Sequence, residues 1–580
     1  MCRIICCYKR KNSIVAYGVL MKRITALLVA MVMAFGSVGI ADTAQANNID
    51  IKARGTWQFA FGVVSNMSMR KSFNDSSEWR VPNTTDATDR GRDLDKFEAL
   101  QRVRTQINFI SSEHLQAVLQ FEIGIMNWGR GTTEVAGNQA GGNLDSRGIN
   151  IKTRRAYLDW IIPHTQVSVR MGIQGLALPS GRMGNPVFDD NVAGIVIASP
   201  ITDNFGLTAF WLRPFADNRY IERADAPFNK LTANTDVFGL VAPITFSGVS
   251  FSPYVMYATI GAAGAGNNDD IDMWRGGRWR AGNGSDGYFG TTYGFGDSSL
   301  GSRNRATDAW WLGFNLNVDI LDPLVFSLDA IYGGIGKVRH SAFDEITGSG
   351  LHVSDRNAQF SASGWYIGTT LDYKLDWGTP GIFGWYSSGD KSNAFGTVHT
   401  DDGEVTCAQR VRSGRLPVLG TNGGFLPTSF GFPGYYGIGN GGGLNEAVIS
   451  HTGTGTWGIG IQLADVSFIQ DLSHTLRFAY YQGTNSAGHY TWGDGYVGRG
   501  GNVRSTLKYN VDPMYLTTKD SVFEVNFDHV YKIYENLEVA LELGWLRLSS
   551  DRRTWGSVPG DGLRKNDDAF KAGLNFTYSF

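Results

Sequence analysis

From residue 49 to residue 580 this chain keeps returning to strict two-residue alternation, and its one long uninterrupted apolar run lies near the N-terminus. The first alternating segment puts Ile49, Ile51, Ala53, Trp57, Phe59, Phe61 and Val63 on one face and Asp50, Lys52, Arg54, Thr56 and Gln58 on the other. Period two is the signature of a strand with two unlike faces. A run of sixteen residues is far longer than the usual strand of about five or six. Residues 96–110 repeat the pattern, with Phe97, Val103, Ile107 and Phe109 opposite Glu98, Arg102, Arg104, Gln106 and Asn108. Four residues, Ser111 to His114, then lead into Leu115, Ala117, Leu119, Phe121, Ile123 and Ile125, interleaved with Gln116, Gln120 and Glu122. Long strands with one apolar face and short turns point to an all-β, transmembrane antiparallel barrel, which with the helix is one of two ways to satisfy every backbone polar group inside a bilayer.

The N-terminus explains how such a chain leaves the cytoplasm. Met21-Lys22-Arg23 is a short positive segment, Ile24–Phe35 is apolar, and Ala44-Gln45-Ala46 places small residues where signal peptidase needs them. Residues 21–46 therefore read as a signal peptide, residues 1–20 as an extension from a start codon assigned too early, and 47–580 as the barrel domain. Removing the leader takes six basic residues and one Asp from the 52 basic and 54 acidic residues of the chain. The mature net charge is then about minus seven, which gives no reason to expect nucleic acid as a partner. Cys2, Cys6 and Cys7 leave with it, so Cys407 stands alone and cannot form an internal disulfide. The abundance of Gly (74 residues) and aromatics (12%) suits tight wall packing and interfacial girdles.

Strands are expected near 49–64, 96–110, 115–126, 149–162, 166–174, 192–199, 203–213, 235–246, 249–261, 307–321, 324–335, 362–376, 379–388, 456–468, 474–484, 519–533, 537–548 and 568–580. That makes about eighteen, or sixteen if 192–199 and the Pro243-interrupted 235–246 fall outside the wall. Connections after even-numbered strands are short and those after odd-numbered strands are long, as expected for periplasmic turns and extracellular loops. The loops 65–95, 262–306, 336–361, 389–455 and 485–518 lack apolar periodicity and are expected at the surface. The chain ends with Phe570, Ala572, Leu574, Phe576, Tyr578 and Phe580 on one face. Phe576, Tyr578 and the terminal Phe580 look like the signal by which a barrel-assembly machinery selects its clients.

With these elements together the chain resembles the homotrimeric outer-membrane porins of sulfate-reducing bacteria, within the general porin superfamily. Arg154-Arg155-Ala156-Tyr157-Leu158-Asp159-Trp160, Val169-Arg170-Met171-Gly172-Ile173-Gln174 and Leu476-Arg477-Phe478-Ala479-Tyr480-Tyr481-Gln482-Gly483-Thr484 carry the resemblance. It implies a trimer of separate pores in the outer membrane of a Gram-negative cell, surrounded by lipid and lipopolysaccharide and passing small hydrophilic solutes and ions by passive diffusion.

In porins the loop after strand five commonly folds into the barrel. Here that connection is Gly175 to Asn191, carrying Arg182, Asp189 and Asp190, although the acidic pair would equally serve an ordinary turn. Arg102, Arg104, Arg155 and Arg170 take inward parity. They form either solvated lumen positions or a positive wall facing Asp189 and Asp190 across a constriction, where charge would set selectivity. Trp311, Tyr366 and Tyr481 also point inward and would pack against lumen loops or, in a sugar-specific, maltoporin-like channel, stack on sugar rings. No nucleophile elbow and no metal-spaced histidines support an enzyme, and no catalytic residue, resident cofactor or metal is expected. The Gly453–Gly458 string precedes a strand instead of opening a helix, so it is not a dinucleotide fingerprint. Asn267, Asn268, Asp269, Asp270 and Asp272 could hold Ca²⁺ in a loop but lack EF-hand spacing. A surface adhesin or purely structural barrel is the remaining alternative, favoured by the length of 389–455.

Overall fold

The computed structural model describes residues 49–66, 96–129, 151–215, 235–260, 307–339, 359–392, 400–401, 404–405, 410–421, 425–434, 449, 452–487, 516–551 and 568–580. The expected leader and the acidic cluster at 267–272 lie outside the described residues. The chain divides into two units, Met1–Ile49 and Asp50–Phe580, and the second contains the barrel.

Its wall has eighteen strands: β1 (Asp50–Ser65), β2 (Lys96–Ser112), β3 (Leu115–Asn127), β4 (Ile151–Ile161), β5 (Ser168–Ala177), β6 (Phe188–Thr202), β7 (Phe205–Phe215), β8 in two pieces (Thr235–Val241 and Ile244–Phe246), β9 (Val249–Ile260), β10 (Thr307–Val318), β11 (Leu324–Arg339), β12 (Gln359–Tyr373), β13 (Thr379–Ser387), β14 (Thr456–Ile469), β15 (Leu472–Gly483), β16 (Ser521–Tyr534), β17 (Leu537–Ser549) and β18 (Asp568–Ser579). Both strands singled out as weak belong to the wall, so sixteen is excluded. Pro243 cannot donate a ladder hydrogen bond and falls in the gap between the two pieces of β8. Each strand pairs antiparallel with its predecessor, and β1 pairs with β18 from Thr56 opposite Ser579 to Ser65 opposite Phe570. Closure leaves no sheet edge, which is what a bilayer demands of β structure. Among the described residues no helix is long and apolar enough to cross a membrane.

All eight connections after even-numbered strands have two to six residues, so one rim is trimmed to short turns. The outward face is apolar and exposed, with Trp57, Leu312, Ile367, Ile382, Ile459, Ile461, Phe478 and Phe523 among its residues. Inward positions are polar or packed. A continuous exposed apolar belt around a closed wall has no place in a soluble protein and matches the lipid band of transmembrane barrels.

Phe580 completes the seam. Its amide donates to the Gly55 carbonyl at 3.0 Å, the Gly55 amide donates to the Phe580 carbonyl at 2.8 Å, and its ring lies over Gly55. Phe576 stands opposite Phe59, and Tyr578 opposite Trp57. The three aromatic residues expected to signal assembly thus also lie along the closing strand pair.

Candidate functional site in the barrel lumen

Two of the described segments that leave the wall concern the predicted site and pack in the interior. The first is shorter than the expected 175–191. β5 and β6 stay paired as far as Ala177 opposite Asp189, so the connection itself is 178–187. Asp189 and Asp190 therefore stand on β6 and not in the loop. Pro179, Gly181, Gly184 and Pro186 interrupt the alternation. Asn185 shapes the return, its side-chain oxygen accepting from the amides of Val187 (2.8 Å) and Phe188 (3.3 Å). The tip is held by strands further round the ring. The Gly181 amide lies 3.0 Å from both carboxylate oxygens of Asp329 on β11, Arg182 reaches Asp372 on β12 at 3.2 Å, and Asn185 donates to the Tyr254 hydroxyl on β9 at 3.2 Å. The connection after β5 thus reaches β9, β11 and β12.

The second segment, residues 410–421 and 425–434, belongs to the long connection expected at the surface, and its position is a correction to that expectation. Arg410–Ser413 pair in parallel with Gln359–Ala362 of β12, and Gly420–Thr421 in parallel with Phe188–Asp189. The Leu419 amide donates to the Val187 carbonyl (2.9 Å) and the Leu426 amide to that of Met183 (2.8 Å), so the two segments hold one another. The far end lies on β16 and β18. Glu524 Oε1 accepts from the amides of Phe430 (3.1 Å) and Gly431 (3.0 Å), and Oε2 from the hydroxyls of Thr428 (2.9 Å) and Tyr481 (2.9 Å). Lys571 donates to the Ser429 carbonyl at 2.9 Å. Gly431 has to be glycine, because a Cβ there would run into the Tyr481 hydroxyl and lie 2.5 Å from Glu524 Oε2. The buried side chains of Leu416, Val418, Leu419, Phe425, Phe430 and Phe432 explain why this segment leaves water.

The inward aromatics are consumed by this packing. Trp311, Tyr366 and Tyr481 are each fully buried. Trp311 Nε1 donates to the Pro417 carbonyl at 2.8 Å, Tyr366 meets the edge of Phe425, and Tyr481 packs on Phe432. Of the two roles considered for them, they take the structural one, and none offers a face to a sugar.

The charged side chains of β1–β5 line the other part of the lumen. Glu122 Oε2 accepts from Arg104 at 2.7 Å and from Arg154 at 2.9 Å. Arg170 forms a two-point pair with Asp159 at 2.6 and 3.0 Å and lies over the Tyr157 ring. Arg155 donates to the Asn191 side chain at 3.1 Å. Arg102 is buried, its guanidinium held by Gln58 Oε1 at 2.7 and 3.1 Å, so it belongs to the packed wall. Asp189 lies within electrostatic range of Arg155 and Arg154, beside the positive wall and not across the constriction from it. The expected opposition of charge across the pore is replaced by mixed charge along one side, because the pairing of β5 and β6 runs two residues past Gly175.

Arg154 is the residue that alternation misses. With Arg155 inward, period two turns Arg154 toward lipid. The register between β3 and β4 shifts between Gln120 and Phe121, which pair with Arg155 and Thr153, and this bulge brings Arg154 round to Glu122. The readable sign is the charge itself, since a lipid-facing arginine in a wall strand is costly enough to imply a local break in the pattern.

Exposure separates the two sides of the lumen. The side chains of Arg104, Arg154 and Arg170 are 23%, 21% and 42% exposed, whereas those of Arg477 and Asp528, and of Lys571 and Glu542, lie between 1% and 8% under the second segment.

No protein-family model matches the chain, and neither does any curated protein. Among solved structures it is similar to OccAB3 of Acinetobacter baumannii (12% identity, 91% of this chain and 99% of that chain, TM-score 0.42). It is also similar to a BenF-like porin from Pseudomonas fluorescens Pf-5 (10%, 92% and 98%, 0.44) and to Pseudomonas aeruginosa OpdK with vanillate (8%, 92% and 98%, 0.42). Likeness of this order leaves the reading of the chain to its own geometry.

Proposed function

We propose that this protein is an outer-membrane porin, a water-filled channel for passive diffusion of small hydrophilic solutes and ions. The observation that carries the reading is the contrast between the two sides of the lumen, sealed along β15–β18 and still wet along the arginines of β2–β5. Guanidinium groups outnumber the carboxylates they pair with there, Arg104 and Arg154 sharing Glu122 while Arg170 takes Asp159. The passage should therefore favour anions and orient dipolar solutes with their negative ends toward this wall. The apolar belt supports a place in the outer membrane, and the resemblance to trimeric porins supports a homotrimer, made by the barrel-assembly machinery and embedded among lipid and lipopolysaccharide. No step of this function calls for a catalytic group.

Replacing Arg104, Arg154 and Arg155 together by Ala tests the wall. A charge about 5 Å from a permeating ion in water is worth roughly 0.8 kcal/mol, or about a fourfold preference. The triple variant is expected to lose most of its anion preference in reversal potentials under a salt gradient. Unaltered selectivity would place the path elsewhere.

A further inference from the structure

One sequence pattern occurs twice on the outward face, and the fold gives it the same geometry both times. Trp211-Leu212-Arg213 lies two residues before the end of β7 beside Asp236-Val237-Phe238 of β8, and Trp545-Leu546-Arg547 two residues before the end of β17 beside Asp568-Ala569-Phe570 of β18. In each, the Trp is paired with the Phe across the strands, and the residue between Trp and Arg is fully buried on the inward side. Asp236 accepts from the Trp211 indole at 2.9 Å and from Arg213 at 2.9 and 3.2 Å. Asp568 accepts from the Trp545 indole at 3.0 Å and from Arg547 at 2.7 and 2.8 Å. Each guanidinium also sits over its own indole, at 5.0 Å in the first and 5.5 Å in the second.

Position gives the pattern its meaning. Both clamps lie at the long-loop ends of their strands, directly above the apolar belt. Counted around the ring of eighteen, the β7–β8 hairpin and the β17–β18 hairpin stand nearly opposite one another. A carboxylate on the lipid-facing side is tolerable only where it is paired and near water. Indole rings and arginine side chains are the groups that settle at the boundary between hydrocarbon and headgroups. The arginine side chains remain accessible, 34% for Arg213 and 61% for Arg547, while their aspartates are 15% and 21% exposed, so the cationic edge faces outward and the anionic edge inward.

We propose that these are two copies of one lipid-headgroup clamp, each docking the phosphate-bearing headgroup layer of the outer leaflet. Because they stand on opposite sides of the barrel, together they set both its depth and its tilt. The inference rests on the belt being lipid-facing, and the test keeps the two apart. The protein is refolded into phosphatidylcholine vesicles whose acyl chains carry bromine either near the glycerol end or near the bilayer centre. Fluorescence of the wild type minus that of Trp211→Phe, or of Trp545→Phe, isolates each indole. Both are expected to be quenched several-fold more strongly by the shallow bromine than by the deep one. Arg547→Gln alone is expected to make the shallow-to-deep ratios of the two sites diverge, as one side of the barrel loses its hold. Stronger quenching of either indole by the deep bromine, or ratios left unchanged by Arg547→Gln, would overturn the clamp. If the remaining indoles are quenched and these two are not, the clamp alone fails. If no indole of the protein is quenched by either lipid, the belt itself has been misread.

Discussion

Gly55→Leu is expected to prevent barrel closure and to remove nearly all folded protein. A Cβ on residue 55 would collide with the backbone carbonyl of Arg104 on β2 and lie 2.6 Å from Cζ of Phe580, which follows the last residue of β18. Gly55 is therefore crowded from both sides, and it exchanges two backbone hydrogen bonds with Phe580. Overpacking in a closed structure typically costs about 1–3 kcal/mol. Here one of the colliding atoms is backbone, so relief requires parting the strands and exposing unpaired amides to lipid, at several kcal/mol per group. The check is the shift in electrophoretic mobility between unheated and boiled samples of refolded protein, with Gly206→Ala as a comparison, since its nearest neighbour would be 3.4 Å away. A normal yield of the Gly55→Leu barrel would mean that the seam does not depend on this contact.

Glu524→Ala is expected to leave the wall intact and to raise single-channel conductance several-fold. The carboxylate lies fully buried and receives donors from Phe430, Gly431, Thr428, Tyr481 and Asn526. Without it, buried donors lose their acceptor at a cost of about 1–3 kcal/mol each, which is enough to detach the end of the second lumen segment. The inter-strand ladder on either side of β16 does not use this side chain. Planar-bilayer recordings should show larger and noisier openings. Openings of unchanged size would indicate that 425–434 does not obstruct the path.

The wall was legible because each of its strands repeats one constraint, apolar toward lipid and polar or small toward the lumen. Several ends fall within two residues of those expected from alternation alone, such as β2 at Lys96 and β17 at Ser549. The early start of β6 was not legible, because Gly175 and Pro179 look like the beginning of a loop while pairing continues to Asp189. Arg154 escaped because a bulge shifts parity without altering composition. The larger miss was residues 410–421 and 425–434. A segment that packs inside a barrel has neither helical nor strand period, and its Gly, Pro and Ser resemble those of a surface loop. What sets it apart is the crowding of Leu416, Val418, Leu419, Phe425, Phe430 and Phe432 into a stretch with no alternation, more apolar surface than a solvated loop would carry. Trp311, Tyr366 and Tyr481 gave the complementary sign, since three large inward aromatics in a polar lumen call for something to cover them.

The central claim is that an aqueous path runs beside the arginines of β2–β5, and current through the unmodified protein tests it most directly. Purified protein in a planar bilayer under a salt gradient should give discrete openings whose reversal potential has the sign of anion preference. The absence of conductance, or openings with a cation preference, would contradict the account.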